Sequence, residues 1–300
     1  MKKLTILIVL AGMIACDSTR QIDERTAFLD SLEKTSVKTL VISEGAIADI
    51  IQQIPSPLEI SFLIKESGTN YNNQLLNSPK NLPNYNNNYK KALNLGVYGT
   101  DLGYTNIYNQ NQDAIFYLDA IRDLANGLSI GQFFDFGTFK RLATKSENLD
   151  SLLLVTTQNF NDINEYLQNQ KRSNLSILFL TGGWLEAMHI MCQVSLNNPE
   201  SGAQNEKNGE QKNILDSEKQ LLFHFKNTDP NIEGLYEDLM RLDKVYSEIK
   251  INHTYAEPKV EEVNGVLVIT DNSTTTIDIT DSHVKQIRDI TASIRSKIIG

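Results

Sequence analysis

Positive charge is never gathered in this chain. Lys and Arg number 28 against 37 Asp and Glu, which leaves a formal net charge of -9. A surface that grips nucleic acid needs clustered Lys and Arg to neutralise phosphates, so nucleic acid is not expected as a partner. Cysteine is scarce, with 2 in 300 residues. The sequence has no Walker phosphate loop, no Gly-x-Gly-x-x-Gly after a strand, no His-Glu-x-x-His and no Gly-x-Ser-x-Gly elbow. Haem attachment through Cys-x-x-Cys-His and internal repeats of fixed period are missing too. No cofactor is therefore predicted. What is present is a 40% hydrophobic content, enough for a substantial core in one large domain or a main domain with an annexe.

The first residues carry the most specific signal. Lys2 and Lys3 precede an apolar run at 4–15 that only Thr5 interrupts. That run is too short to span a bilayer stably and suits the core of a signal peptide. Cys16 follows Ala15 directly, and Met13-Ile14-Ala15-Cys16 resembles the lipobox of bacterial lipoproteins. The resemblance implies removal of residues 1–15 and acylation of Cys16 with palmitate-type chains. The protein would then be membrane-anchored in a bacterial cell envelope, on the outer membrane, with 16–35 as a lipidated tether. Two or more acyl chains hold where one would be marginal. With Cys16 acylated, Cys192 has no disulfide partner. It lies in an apolar helical segment and reads as a small buried hydrophobe.

Residues 36–250 read as a helical body. Val37, Leu40, Ile47, Ile51 and Ile54 recur at helical spacing up to Pro55, and Ser56-Pro57 opens a short helix. Residues 70–91 are crowded with Asn and Tyr and lack an apolar period, so they predict a long loop. Such a loop suits an ordered surface strap, or carbohydrate contact. The next stretch holds Asp101 as its only charge between Leu95 and Gln112. A helix apolar nearly all round belongs inside a protein. Gly96, Gly99 and Gly103 stack on one side of it, where another backbone is expected to come close. An amphipathic stripe through Ala114, Leu118, Ile121, Ala125 and Leu128 follows. Phe133, Phe134, Phe136 and Phe139 then cluster in a connection, to cap a core or to meet a partner.

Leu149, Leu153, Thr156, Phe160, Ile163 and Leu167 form a further stripe. Residues 173–195 give a second almost uncharged helix, notched by Gly182 and Gly183 and too interrupted for a membrane span. The two glycine-bearing helices are expected to cross near Gly99 and Gly103, with Trp184 beside the crossing. Residues 196–213 are nearly devoid of apolar side chains and predict a flexible loop. Two helices at 214–226 and 232–249 come next. Residues 251–300 predict a β-hairpin turning at Asp271-Asn272-Ser273, then a helix capped by Thr280 with Val284, Ile287, Thr291, Ile294 and Ile298 on one face. The fold class is thus mainly α, a multi-helix bundle with a small C-terminal β-hairpin and a terminal helix.

Asp101, Glu186 and His189 are the candidate site. Each of the two near-neutral helices holds one carboxylate, and His189 shares a face with Glu186 at i+3. Glu-x-x-His is a known di-metal element, but it needs a second copy that this chain lacks. The bland alternative is that both carboxylates tie helices together, with Tyr98, Tyr104, Thr105 or Tyr108 satisfying Asp101.

Three segments carry a family resemblance: IPSPLEISFLIKESG (54–68), KKALNLGVYGTDLGYTNIYNQ (90–110) and LTGGWLEAMHI (180–190). From about residue 40 to 194 the chain resembles lipoproteins of Bacteroidetes-type bacteria to which no activity is assigned. That resemblance implies envelope location and a mostly helical body, and carries over no catalytic role. Three readings stand: a non-catalytic binding or structural lipoprotein, an enzyme or metal-binding protein using Asp101, Glu186 and His189, and a glycan-contacting protein. The membrane is an expected partner through the acyl chains; an envelope protein or glycan partner is unidentified.

Overall fold

The computed structural model describes residues 43–57, 64, 70–143, 149–197, 202–263, 266–270 and 272–300, all within the unit Ser43–Gly300. The leader, Cys16, the tether and most of the short helix expected after Pro57 lie outside the described residues. Within them the protein is mainly α, with ten α-helices, a small antiparallel β element near the C-terminus and a terminal helix.

α1 (Glu44–Gln53) starts where the Ser43 hydroxyl accepts from the Ala46 amide, and it ends ahead of Pro55. Two short 3-10 segments, Asn73–Leu75 and Pro79–Asn84, lead into α2 (Asn88–Ile107), capped by Asn87. Asn109, at φ 57°, breaks the chain before α3 (Asn111–Gly127). Then come α4 (Phe136–Ala143), α5 (Leu149–Asn169) and α6 (Ser173–Asn197). α7 (Gly202–Glu210), α8 (Lys212–Phe225) and α9 (Pro230–Tyr246) precede the strands. These are β1 (Lys250–Thr254), β2 (Lys259–Val263), β3 (Val266–Thr270) and β4 (Thr274–Asp278), followed by α10 (Asp281–Ile299).

The centre is the crossing of α2 and α6, which pack more extensively than any other pair of elements. A Cβ at Gly96 would overlap the Phe179 carbonyl and the Gly183 amide nitrogen, and one at Gly182 would overlap the Leu93 carbonyl. Only hydrogen at these positions lets the two backbones touch. Gly99 lies differently: its space is taken by the Pro57 ring, 3.2 Å from where a Cβ would sit. Pro57 also fills the space over Gly183, and the Thr100 hydroxyl bridges the layers through the Gly183 carbonyl (2.9 Å) or that of Pro57 (3.2 Å). Trp184 is fully buried, and its indole N–H donates to Gln211 at the α7–α8 junction (3.2 Å).

α6 is long and apolar enough to pass for a membrane span, contrary to the expectation that its glycines make it too interrupted; 94% of its most apolar stretch is buried in the body. α10 packs against α6 and α9 and buries Val284, Ile287, Thr291, Ile294 and Ile298. Each fully buried Leu or Ile side chain contributes about 1.5–3 kcal/mol. Phe134, Phe136 and Phe139 close the far end of the core, lining a small apolar cavity of about 40 Å³ with Pro57 and Leu102.

Three expectations need correcting. Residues 196–213 are not a loop where they are described: α6 runs to Asn197 and α7 occupies 202–210. Hydrogen bonds help to hold α7 in place. Buried Asn208 donates to Ser195 Oγ (2.8 Å), and its carbonyl accepts from the Tyr246 hydroxyl (3.0 Å). The β pairing also differs. β3 pairs with β2 (Lys259↔Thr270 to Val263↔Val266), and β4 pairs with β1 (Lys250↔Asp278 to Thr254↔Thr274). Asn272 and Ser273 bond across to Glu257 and Ala256, so this stretch is a kink between nested pairs, not a hairpin turn. Finally, the loop expected over 70–91 stops at residue 87, because 88–91 form the first turn of α2; up to there it is the ordered strap expected, with two 3-10 turns and Leu76, Asn77 and Tyr85 buried.

Candidate functional site

α2 carries Asp101 and α6 carries Glu186, both with no solvent exposure, and the two carboxyl groups lie within hydrogen-bonding reach of each other. The cation between the helices comes from α10. Arg295 donates through Nε to Glu186 Oε2 (2.5 Å) and through a terminal nitrogen to Oε1 (2.7 Å), a bidentate grip. The same terminal nitrogen reaches the Leu75 carbonyl on the strap (3.0 Å). The Arg295 side chain is 13% exposed. Burial opposes its charge, but the carboxylates of Glu186 and Asp101 outweigh that and hold the guanidinium even more firmly protonated than usual.

Asp101 sits on the other side of the same charge balance. Its Oδ2 accepts the backbone amide of Asn77 (3.1 Å), while Oδ1 has no donor among the described residues. Burial first, and the neighbouring Glu186 charge second, raise its pKa well above the ordinary carboxylate range. Two buried carboxylates facing one guanidinium leave one negative charge over; a proton held by Asp101 removes it and supplies the donor that the pair lacks. None of Tyr98, Tyr104 and Thr105 satisfies Asp101 as expected. Tyr98 donates to the Ser78 carbonyl (3.0 Å), Tyr104 accepts the Asn72 amide (3.2 Å) and Thr105 donates to the Leu102 carbonyl (2.7 Å). Helix geometry puts those side chains near Asp101 in sequence, but the strap had a donor to offer from closer by.

His189 borders the cluster from α6. Burial lowers its pKa to about 4, so the ring is neutral at physiological pH, and its enclosed Nδ1 has no partner among the described residues. Among the described residues no group of three or more His, Cys, Asp or Glu is placed to hold a metal ion. A cation entering between Asp101 and Glu186 would have to displace a guanidinium that is already bonded twice.

The strap completes the site. Asn77 Nδ2 donates to the Tyr85 hydroxyl (2.9 Å) and to Asn94 Oδ1 (3.2 Å), and Asn94 Nδ2 donates to the Ile298 carbonyl (3.0 Å). Tyr85 in turn reaches the Ile299 carbonyl (3.3 Å). Strap, α2 and the last turn of α10 are thereby tied into one polar seam beside the carboxyl pair. Cys192 is remote from this chemistry. Buried against Asn208 Oδ1 (3.5 Å), its thiol is pushed up to about 12 and kept out of the thiolate form.

Sequence reasoning missed Arg295, Asn77 and a third fully buried acid, Glu218. Arg295 was findable: 284, 288, 291, 295 and 298 also step 4-3-4-3, which puts an arginine on the margin of a buried ladder. Glu218 stands at i+3 from Leu215 and four before Leu222, in line with buried leucines. Asn77 had no such signal, because its contact with Asp101 is made by a backbone amide. No protein-family model, curated protein or solved structure matches this chain.

Proposed function

We propose that this protein is a lipid-anchored component of a bacterial cell envelope whose helical body is a non-catalytic binding or structural module. The observation that carries the second half is the Glu186–Arg295 pair, in which both carboxylate oxygens are bonded and Glu186 is shut away from solvent. A catalytic carboxylate must reach substrate; this one spends its bonding capacity on fastening α10 to α6. The leader and Cys16 support the first half. Membrane fractionation of the full chain tests the anchor: Cys16→Ala should move the protein to the soluble fraction, and intact-mass measurement of the wild type should report added acyl chains. Unchanged membrane retention of the variant refutes the anchor.

A second reading keeps Asp101, Glu186 and His189 as a metal or acid–base site, favoured by two enclosed atoms, Asp101 Oδ1 and His189 Nδ1, that have no partner among the described residues. Elemental analysis of the purified chain decides it. One equivalent of a transition metal, lost in Glu186→Gln, would establish that reading over the first.

A further inference from the structure

The strap turns Leu76, Asn77 and Tyr85 inward, and its outer edge forms one wall of an open groove against α3, with a volume of about 690 Å³. Small-ligand sites commonly fall between about 300 and 1,000 Å³. Its working side chains are Asn73, Ser78 and Lys80 from the strap and Asp113, Phe116 and Tyr117 from α3. Phe116 is 55% exposed, so a large apolar ring faces the opening. Asp113 is fixed in place: the Tyr71 hydroxyl donates to its Oδ2 (2.7 Å), and Tyr71 is itself packed between Tyr104 and Tyr108. Asn73 and Lys80 are exposed and Asp113 is half-buried, and all three line the same groove as the ring.

We infer that this groove binds a neutral saccharide. A sugar presents an apolar C–H face, which an exposed aromatic ring covers, and a rim of hydroxyls, which planar carboxylate and amide groups grip in pairs. The two charges in the groove, Lys80 and Asp113, cancel, so the site demands no net charge of its ligand. Peptides fit less well. Strand addition needs a free sheet edge, and helix docking needs a row of apolar pockets; the groove is walled by 3-10 turns and a helix and offers a single exposed apolar ring. The inference rests on the reading of the body as a binding module and gives that module a ligand class.

Isothermal titration of the full chain in detergent with maltotriose, cellotriose and chitotriose tests it. At least one trisaccharide should bind, and Phe116→Ala and Asp113→Asn should each weaken binding about tenfold, equivalent to about 1.4 kcal/mol. Asp113→Asn still accepts from Tyr71, so the groove keeps its shape in that variant. Phe223→Ala, which removes an exposed ring elsewhere, should leave affinity unchanged. No binding by any of the three sugars, or binding indifferent to Phe116→Ala, overturns the inference. So does capture of the tripeptide Ala-Phe-Ala with loss in Phe116→Ala and no sugar bound. Chromatography of the recovered sugar separates the two levels: intact trisaccharide supports both, whereas cleaved product keeps the saccharide assignment and refutes the non-catalytic reading.

Discussion

Glu186 on α6 and Glu218 on α8 are both fully buried, but their surroundings share almost nothing. Glu186 faces a guanidinium that bonds both of its oxygens. Among the described residues, Glu218 has only the Thr181 hydroxyl as a partner, at 2.5 Å from Oε2, and its Oε1 has none. Burial raises the Glu218 pKa to about 8. Thr181 is also 2.9 Å from the Ile177 carbonyl, and a hydroxyl has a single proton to give. The consistent chain of donors runs from a protonated Glu218 to Thr181 and on to Ile177. One site answers burial with a counter-ion and the other with a proton. The first fastens a distant helix; the second serves a local helix–helix contact and leaves stability open to pH.

Removing the counter-ion should have the largest effect. Arg295→Met leaves Glu186 buried opposite Asp101 with no cation, and breaking such a pair from one side costs about 3–5 kcal/mol. Urea unfolding at pH 7 should report a loss of that order. The double variant Arg295→Met/Glu186→Gln should recover much of it, because no buried charge is then stranded. If the single variant is as stable as wild type, the cation is not what holds α10.

Glu218 should respond to pH instead. Its pKa is raised on folding, so its favourable contribution is complete below the ordinary glutamate range and is lost as pH rises towards about 8. Each unit of difference corresponds to about 1.4 kcal/mol. Glu218→Gln removes the titration but keeps a donor for Thr181, so its thermal midpoint should gain on wild type steadily from pH 5 to pH 9. Parallel pH profiles for the two proteins would show that Glu218 is not the titrating group.

Much of this was written in residue spacing. The mainly α fold follows from the periodic stripes, and α10 buries the five residues that its spacing aligned. The glycines of α2 and α6 advertise a close approach, since glycine weakens a helix, but the backbones meet at Gly96 and Gly182, a turn before the expected Gly99. Spacing cannot reveal partners that arrive from far away in sequence. Gly99 meets Pro57, and Glu186 meets an arginine more than a hundred residues later. Polarity misled at α7, where a sequence rich in Asn, Gln and Glu reads as solvent-loving until Asn208 and Gln211 are seen bonding inside. The strand pairing was misread because Asp271-Asn272-Ser273 has the composition of a turn, while its bonds to Ala256 and Glu257 belong to a kink.

The smallest test separates His189 from Glu218 by its sign. Its pKa falls on folding, from 6.5 to about 4, because burial opposes the imidazolium. The neutral ring therefore contributes fully above pH 6.5, and that contribution is lost as pH falls towards 4. At pH 5 the loss amounts to about 2 kcal/mol from 1.5 units, before any allowance for the partial exposure of the ring. His189→Gln should blunt acid destabilisation between pH 6.5 and 4 while leaving the alkaline side to Glu218, with both limbs read from thermal midpoints in one buffer series. A wild type whose acid limb is unchanged by His189→Gln would assign that limb to other groups and remove His189 from the polar centre's energetics.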